Sequence, residues 1–168
     1  NAGTEESYSH IHGTSKKDFN KVLKNIENIV IEKERKNLPI TIGTQCVLLE
    51  ENKDEIERLT RLLKNLGVDY LSIKPFLQHP LIGYKSKIED INEILDKLQS
   101  LKTYSDENFQ FVLRQHLFSG ESNRNYCKCH AGPFMIEIDA RGDVYNCGPY
   151  IGNDDHRYGN ILEQSFED

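Results

Sequence analysis

Apolar residues recur every three or four positions from Phe19 through Val22, Leu23, Ile26, Ile29 and Val30, the stripe of an amphipathic helix. Thr14 or Ser15 can cap that helix, which should run to about Asn37 before Pro39 stops it. The pattern then changes. Ile40 to Leu49 is a run of β-branched and apolar residues, as expected of a strand buried on both faces. Asn52-Lys-Asp-Glu55 offers a cap with an acid three positions on, and Ile56, Leu59, Leu62, Leu63 and Leu66 form the next helical stripe, ended by Gly67. Val68 to Lys74 predicts a second strand, closed by Pro75, and a longer loop follows from Phe76 to Lys85. Ser86-Lys-Ile-Glu89 reads as a second capping box, opening a helix that turns Ile88, Ile91, Ile94, Leu95, Leu98 and Leu101 inward. Phe109 to Arg114 predicts another strand. Helix and strand alternating over short links is the signature of an α/β fold with a parallel sheet.

The character changes after Phe118. Ser119 to Tyr126 is polar and reads as a linker, dividing the chain into residues 1–118 and 119–168. Beyond it, Phe134 to Asp139 and Asp143 to Cys147 flank Ala140-Arg-Gly142, which predicts a β-hairpin with Gly142 at a positive-φ turn position.

Composition narrows the function classes. Lys and Arg number 21 against 27 Asp and Glu, a net charge of -6, so the phosphate-neutralising face of a general nucleic-acid binder is not expected. No apolar run approaches the roughly 20 residues of a transmembrane helix, and the polar Asn1 to His12 stretch has no signal core, so a cytoplasmic protein is the default. Three of the four cysteines, Cys127, Cys129 and Cys147, fall close together in a chain that is neither small nor cysteine-dense, which favours metal or cluster ligation over disulfides.

The chemistry concentrates in one spacing: Cys129, twelve residues, Gly142, four residues, Cys147. A hairpin of that length brings its ends together, and thiolates are the soft ligands that iron–sulfur clusters and zinc prefer. Cys127 is a further ligand or a bystander. Zinc remains the rival metal, because Cys127, Cys129, Cys147 and His130 or His156 would make a four-ligand set.

The segment from Cys129 to Cys147, with the later Gly159-Asn-Ile and Ser165-Phe, resembles the opening of the SPASM or twitch domain that follows the barrel of many radical S-adenosylmethionine (SAM) enzymes. Upstream, Ala2 to Gly13 resembles the stretch after the fourth barrel strand, Thr41 to Glu55 the fifth strand and its helix, and Tyr70 to Pro75 the sixth strand. The resemblance implies a partial βα barrel, or an open parallel sheet, followed by a small β-hairpin SPASM/twitch-like module. It implies that Cys129 and Cys147 ligate an auxiliary four-iron four-sulfur cluster in the intact protein. It also implies that the parent reduces SAM at a catalytic cluster and abstracts hydrogen from a peptide, protein or small-molecule substrate. The catalytic cluster of that family sits on a C-x-x-x-C-x-x-C motif, which does not occur in these 168 residues, so the chain is expected to be a fragment, not catalytic alone, with Asn1 and Ala2 as a remnant of expression.

Other candidates are read from position. Gln45 and Lys74 are polar residues toward the C-terminal ends of predicted strands, where barrel enzymes place ligand contacts, and they are the candidates for a SAM or substrate pocket. Cys46, inside an apolar run, is expected to be a small core residue. His10, His12, His79 and His116 are scattered and carry no role. Two further classes stay open: a noncatalytic zinc-binding interaction module, and a metal-free α/β binding domain with free thiols.

Overall fold

The N-terminal helix α1, Glu5–His12, forms where the polar opening of the chain supplies every end signal a helix needs. The Thr4 side chain accepts from the Ser7 N–H, Glu5 and Glu6 occupy the first turn, His10 and His12 the last, and Gly13 closes it in the left-handed region at φ 59°. Hydrophobic periodicity misses this helix because its stripe is short; Tyr8 still packs its ring 5.6 Å from that of Phe19. Ser15 caps α2, Lys16–Arg35, with its side chain accepting from Lys17 N–H.

In this computed structural model, which describes residues 1–77, 83, 88–118, 128, 130–132 and 134–165, two compact units are present. The first lies within Asn1–Phe76 and Ser86–Gly120, the second within Leu77–Lys85 and Glu121–Asp168.

In the first unit, β1 (Gly43–Leu48), β2 (Tyr70–Pro75) and β3 (Gln110–Leu113) form a parallel sheet in sequence order. The helix α3 (Ile56–Asn65) separates the first two strands, and α4 (Ile91–Ser100) lies between the second and third. The register sets Cys46 beside Ile73 and Ile73 beside Leu113, with Leu71 beside Phe111, so every second residue shares one face. Those residues join Val30 of α2, Ile56, Leu59 and Leu63 of α3, and Ile94 and Leu98 of α4 in one core. Leu71 and Ile73 are fully buried there, each contributing about 2 kcal/mol of transfer free energy.

Three local expectations change. The first strand is not buried on both faces: Cys46 and Leu48 are inside, Gly43 and Gln45 are exposed, and Ile40 stays outside the strand at 46% exposure. Among the described residues the helices pack on one side of the sheet, so the apolar run alternates in burial although it does not alternate in sequence. Second, Asn52 does not cap a helix. Its buried side chain accepts from Leu49 N–H (2.9 Å) and donates to the carbonyls of Asn1 (2.8 Å) and Val47 (2.9 Å). Third, α4 begins at Ile91, behind Asp90, so Ile88 and Glu89 precede the helix; Ser86 lies outside the described residues.

The second unit is an antiparallel sheet of β4 (Glu137–Ile138), β5 (Asp143–Tyr145) and β6 (Arg157–Asn160). Gly142, at φ 86°, makes the turn between the first two, as the Ala140-Arg-Gly142 sequence predicts. Pairing covers only Glu137 with Tyr145 and Ile138 with Val144, less than the apolar run suggests, because Phe134 and Met135 N–H donate instead to Ala131 O in a preceding turn. The buried Asp143 carboxylate ties the sheet together, accepting from Arg157 Nε (2.7 Å) and Asn160 Nδ2 (2.9 Å).

Candidate functional site

The face of the parallel sheet away from the helices carries the other alternation: Gly43, Gln45 and Val47 on β1, Tyr70, Ser72 and Lys74 on β2, and Gln110 and Val112 on β3. Gln45 pairs with Ser72, and Lys74 with Val47, so the two polar residues singled out in the sequence share this face on neighbouring strands, one diagonal step apart. Gln45 is exposed and Lys74 half-buried. Ser72 is buried at 2% exposure, and its Oγ accepts from Arg114 Nε at 3.1 Å. Arg114 N–H in turn donates to Ile73 O (3.0 Å), extending the ladder one residue beyond β3. Arg114 and Lys74 thus sit side by side at the C-terminal ends of parallel strands, the position where α/β sheets place ligands.

Sequence reasoning passed over Ser72 and Arg114. The rule that picks Lys74, a polar residue ending an apolar strand, applies equally to Arg114. Ser72 is legible as the only aliphatic hydroxyl within Val68 to Lys74, two residues from Lys74 and so on its face.

Behind the sheet's edge, polar groups fix the approach of α1. The Glu55 carboxylate accepts from Gly3 N–H (2.9 Å), Thr4 Oγ1 (2.8 Å) and Ser7 Oγ (2.5 Å). Burial of Glu55 works against its ionisation, but these donors outweigh it and hold the carboxyl below the usual range. Gly3 passes so close that a Cβ there would lie 2.8 Å from Glu55 O.

The cysteines divide. Cys46 is a buried core thiol, and desolvation pushes its pKa up to about 11, leaving it protonated and inert. Cys147 is exposed, in extended backbone at φ -164°, two residues beyond β5. Near it, Asn146 Nδ2 meets His156 Nδ1 at 3.4 Å, the His156 ring stacks on Tyr150 at 3.9 Å, and Asn146 Oδ1 is buried with no hydrogen-bond partner among the described residues. Cys127 and Cys129, the other expected ligands, lie outside the described residues, as does His79. Among the described residues no group of three or more His, Cys, Asp or Glu is placed to hold a metal ion. Among them, too, no helix is long and apolar enough to cross a membrane.

The fold resembles that of known structures. Its likeness is to SuiB of Streptococcus suis. The SuiB structure bound to S-adenosylmethionine matches at a TM-score of 0.59 and 18% identity, covering 92% of this chain and 36% of that one. SuiB alone matches at 0.59 and 15%, covering 92% and 37%. SuiB bound to its precursor peptide SuiA matches at 0.61 and 16%, covering 88% and 36%. The chain therefore spans little more than a third of the length of these structures. No family model and no curated protein matches the chain. At these identities the likeness is one of fold, and it extends over nearly all of the chain.

Proposed function

We propose that this chain is the substrate-side portion of a radical SAM enzyme that modifies a peptide, joined to the start of a SPASM/twitch-like module. The single observation that carries the reading is the fold likeness to SuiB over 92% of the chain, in a protein solved with both S-adenosylmethionine and a precursor peptide. The spacing Cys129, Gly142, Cys147 supports the module independently, since it comes from the sequence and not from the fold.

The residues present suit the groups this reading implies. The open sheet face offers an amide at Gln45 and cations at Lys74 and Arg114, which match the carboxylate and hydroxyl groups of SAM or a peptide. Cys147 offers an exposed thiol, as a soft ligand requires. Cys129 is its expected partner, with Cys127 as the further donor. In the intact enzyme the auxiliary four-iron four-sulfur cluster would supply electron relay or substrate positioning. The chain's own part is to bind and orient the peptide along the strands' C-terminal ends. Free thiols and iron–sulfur chemistry suit a reducing compartment such as the cytoplasm.

The test is anaerobic iron and sulfide reconstitution of the longer protein that contains this chain, beside its Cys129→Ser/Cys147→Ser variant. The expected result is a loss of about four irons per chain in the variant, with the catalytic cluster's iron retained. Unchanged iron content refutes the cluster. One bound zinc and no iron identifies a zinc module, and no metal with no response to Cys129→Ser identifies a metal-free binding domain.

A further inference from the structure

The open sheet face carries two neighbouring cations, Lys74 and Arg114, on adjacent strands. Its side chains, from Gln45 and Val47 through Tyr70, Ser72 and Lys74 to Gln110, Val112 and Arg114, include two cations and no acid, in a chain of net charge -6. Of the cations elsewhere, several are paired with carboxylates, as Lys33 with Asp69 at 2.6 Å, Lys64 with Asp106 at 2.5 Å and Arg157 with Asp143 at 2.7 Å, while others such as Lys17, Lys21, Arg58 and Lys102 stand on solvated helix surfaces without an ion pair among the described residues. Neither Lys74 nor Arg114 has an acidic partner among the described residues. Arg114 is nonetheless held in place. Its Nε is spent on Ser72 Oγ, a hydroxyl at 2% exposure, and its backbone N–H on Ile73 O, so the guanidinium is oriented while both terminal nitrogens stay open among the described residues. A fork fixed through Nε and open at its outer edge is arranged to receive a planar two-oxygen anion. Lys74, the next-strand neighbour, lies roughly 5 Å away at the backbone spacing of adjacent strands.

We propose that Arg114 and Lys74, with Ser72 as the positioning hydroxyl, form a carboxylate-binding subsite that anchors an acidic residue of the substrate peptide. The inference deepens the reading above and rests on it for the word peptide; the anion preference rests on the sheet face alone. The Arg114 fork grips the carboxylate, and Lys74 balances its charge from the adjacent strand. Removing the Ser72 hydroxyl frees the guanidinium without changing charge, so it should weaken binding less than removing Arg114.

The test uses the 168-residue chain and two blocked tripeptides, acetyl-Ala-Glu-Ala-amide and its Gln counterpart, followed by the Arg Nε–H resonances in nitrogen-15 NMR spectra. The Glu peptide should shift the Arg114 Nε–H signal and saturate in the millimolar range; the Gln peptide should not. Arg114→Gln should weaken the Glu peptide by about tenfold, and Lys74→Met and Ser72→Ala by less, as charge-assisted hydrogen bonds predict. Unchanged backbone spectra in each variant keep loss of folding from imitating loss of binding. Where Arg114→Gln perturbs the fold, the shift of the Arg114 signal in the unaltered chain decides by itself. Equal response to the two peptides, an unmoved Arg114 signal, or undiminished affinity in a folded Arg114→Gln chain overturns the subsite. Displacement of the Glu peptide by SAM also overturns it, since the anion would then be the cofactor's own carboxylate. Iron loading does not involve these residues. A chain that binds the Glu peptide from a parent that loads no iron keeps the subsite and loses the enzyme reading; the converse loses the subsite alone.

Discussion

Asn52 is a polar residue set within the core of the larger unit. Its side chain is fully buried and serves three backbone groups: Leu49 N–H at 2.9 Å, Val47 O at 2.9 Å and Asn1 O at 2.8 Å. Asn52→Ala leaves a buried N–H without its acceptor and two carbonyls without their donor, and it opens a small void. At about 1 to 3 kcal/mol for each stranded group, with water reaching the part-buried Asn1 carbonyl, the loss should be about 3 kcal/mol. For a unit of this size that lowers the melting temperature by about 10 °C. Asn52→Asp separates shape from hydrogen bonding. The carboxylate keeps the acceptor for Leu49 N–H but turns a second oxygen toward the Val47 and Asn1 carbonyls, so the charged form is disfavoured and the folded-state pKa must rise. A group whose pKa rises on folding gives stability that is present below its unfolded pKa and lost as pH climbs through the folded one. Asn52→Asp should therefore be less stable than Asn52→Ala at neutral pH and recover in acid, where the protonated carboxyl donates. The assay is urea unfolding followed by far-ultraviolet circular dichroism, across pH. An Asn52→Ala loss under about 0.5 kcal/mol, within the range of ordinary surface substitutions, would refute the reasoning.

Other outcomes follow from the same geometry. Glu55→Gln should cost about 2 kcal/mol by weakening the three donors that anchor α1, read as faster amide exchange across Glu5–His12. Because those donors hold the Glu55 carboxyl below its ordinary pKa, its contribution is complete above the unfolded-state value and fades as pH falls through the folded one; the Glu55→Gln variant should not show that acid loss. In single-cysteine variants, Cys147 should react with a disulfide reagent at the rate of an exposed thiol, and Cys46 only on unfolding, given its burial and a pKa of about 11. Asp143→Ala should cost the smaller unit about 2 kcal/mol, since Arg157 Nε loses its acceptor and Asn160 Nδ2 keeps only Arg141 O, and should broaden the β5 and β6 resonances selectively.

Legibility followed the range of the interaction. Ser15 capping α2, the stripe Ile94, Leu95, Leu98 of α4 and the Gly142 turn are set by neighbours within a few residues, and the sequence displays them. The strand β6 went unread because Arg157-Tyr-Gly-Asn160 has no apolar alternation; it is a strand only because the Asp143 carboxylate and the β5 edge recruit it from 14 and 17 residues away. Asn52 shows the reverse error, a sequence suited to a local cap that tertiary contacts with Asn1 and Val47 claim instead.

By itself, then, the amino-acid order determined the α/β alternation, the parallel strands, the hairpin turn and the spacing of Cys129 and Cys147, because hydrophobic period, caps and glycine conformations act over a few residues. Only the tertiary structure decided which face of the sheet stays open, that Gln45 and Lys74 share it, and that Ser72 aims Arg114 along it. Those pairings join residues up to 42 apart in the chain, and no local preference encodes which partner a strand will find.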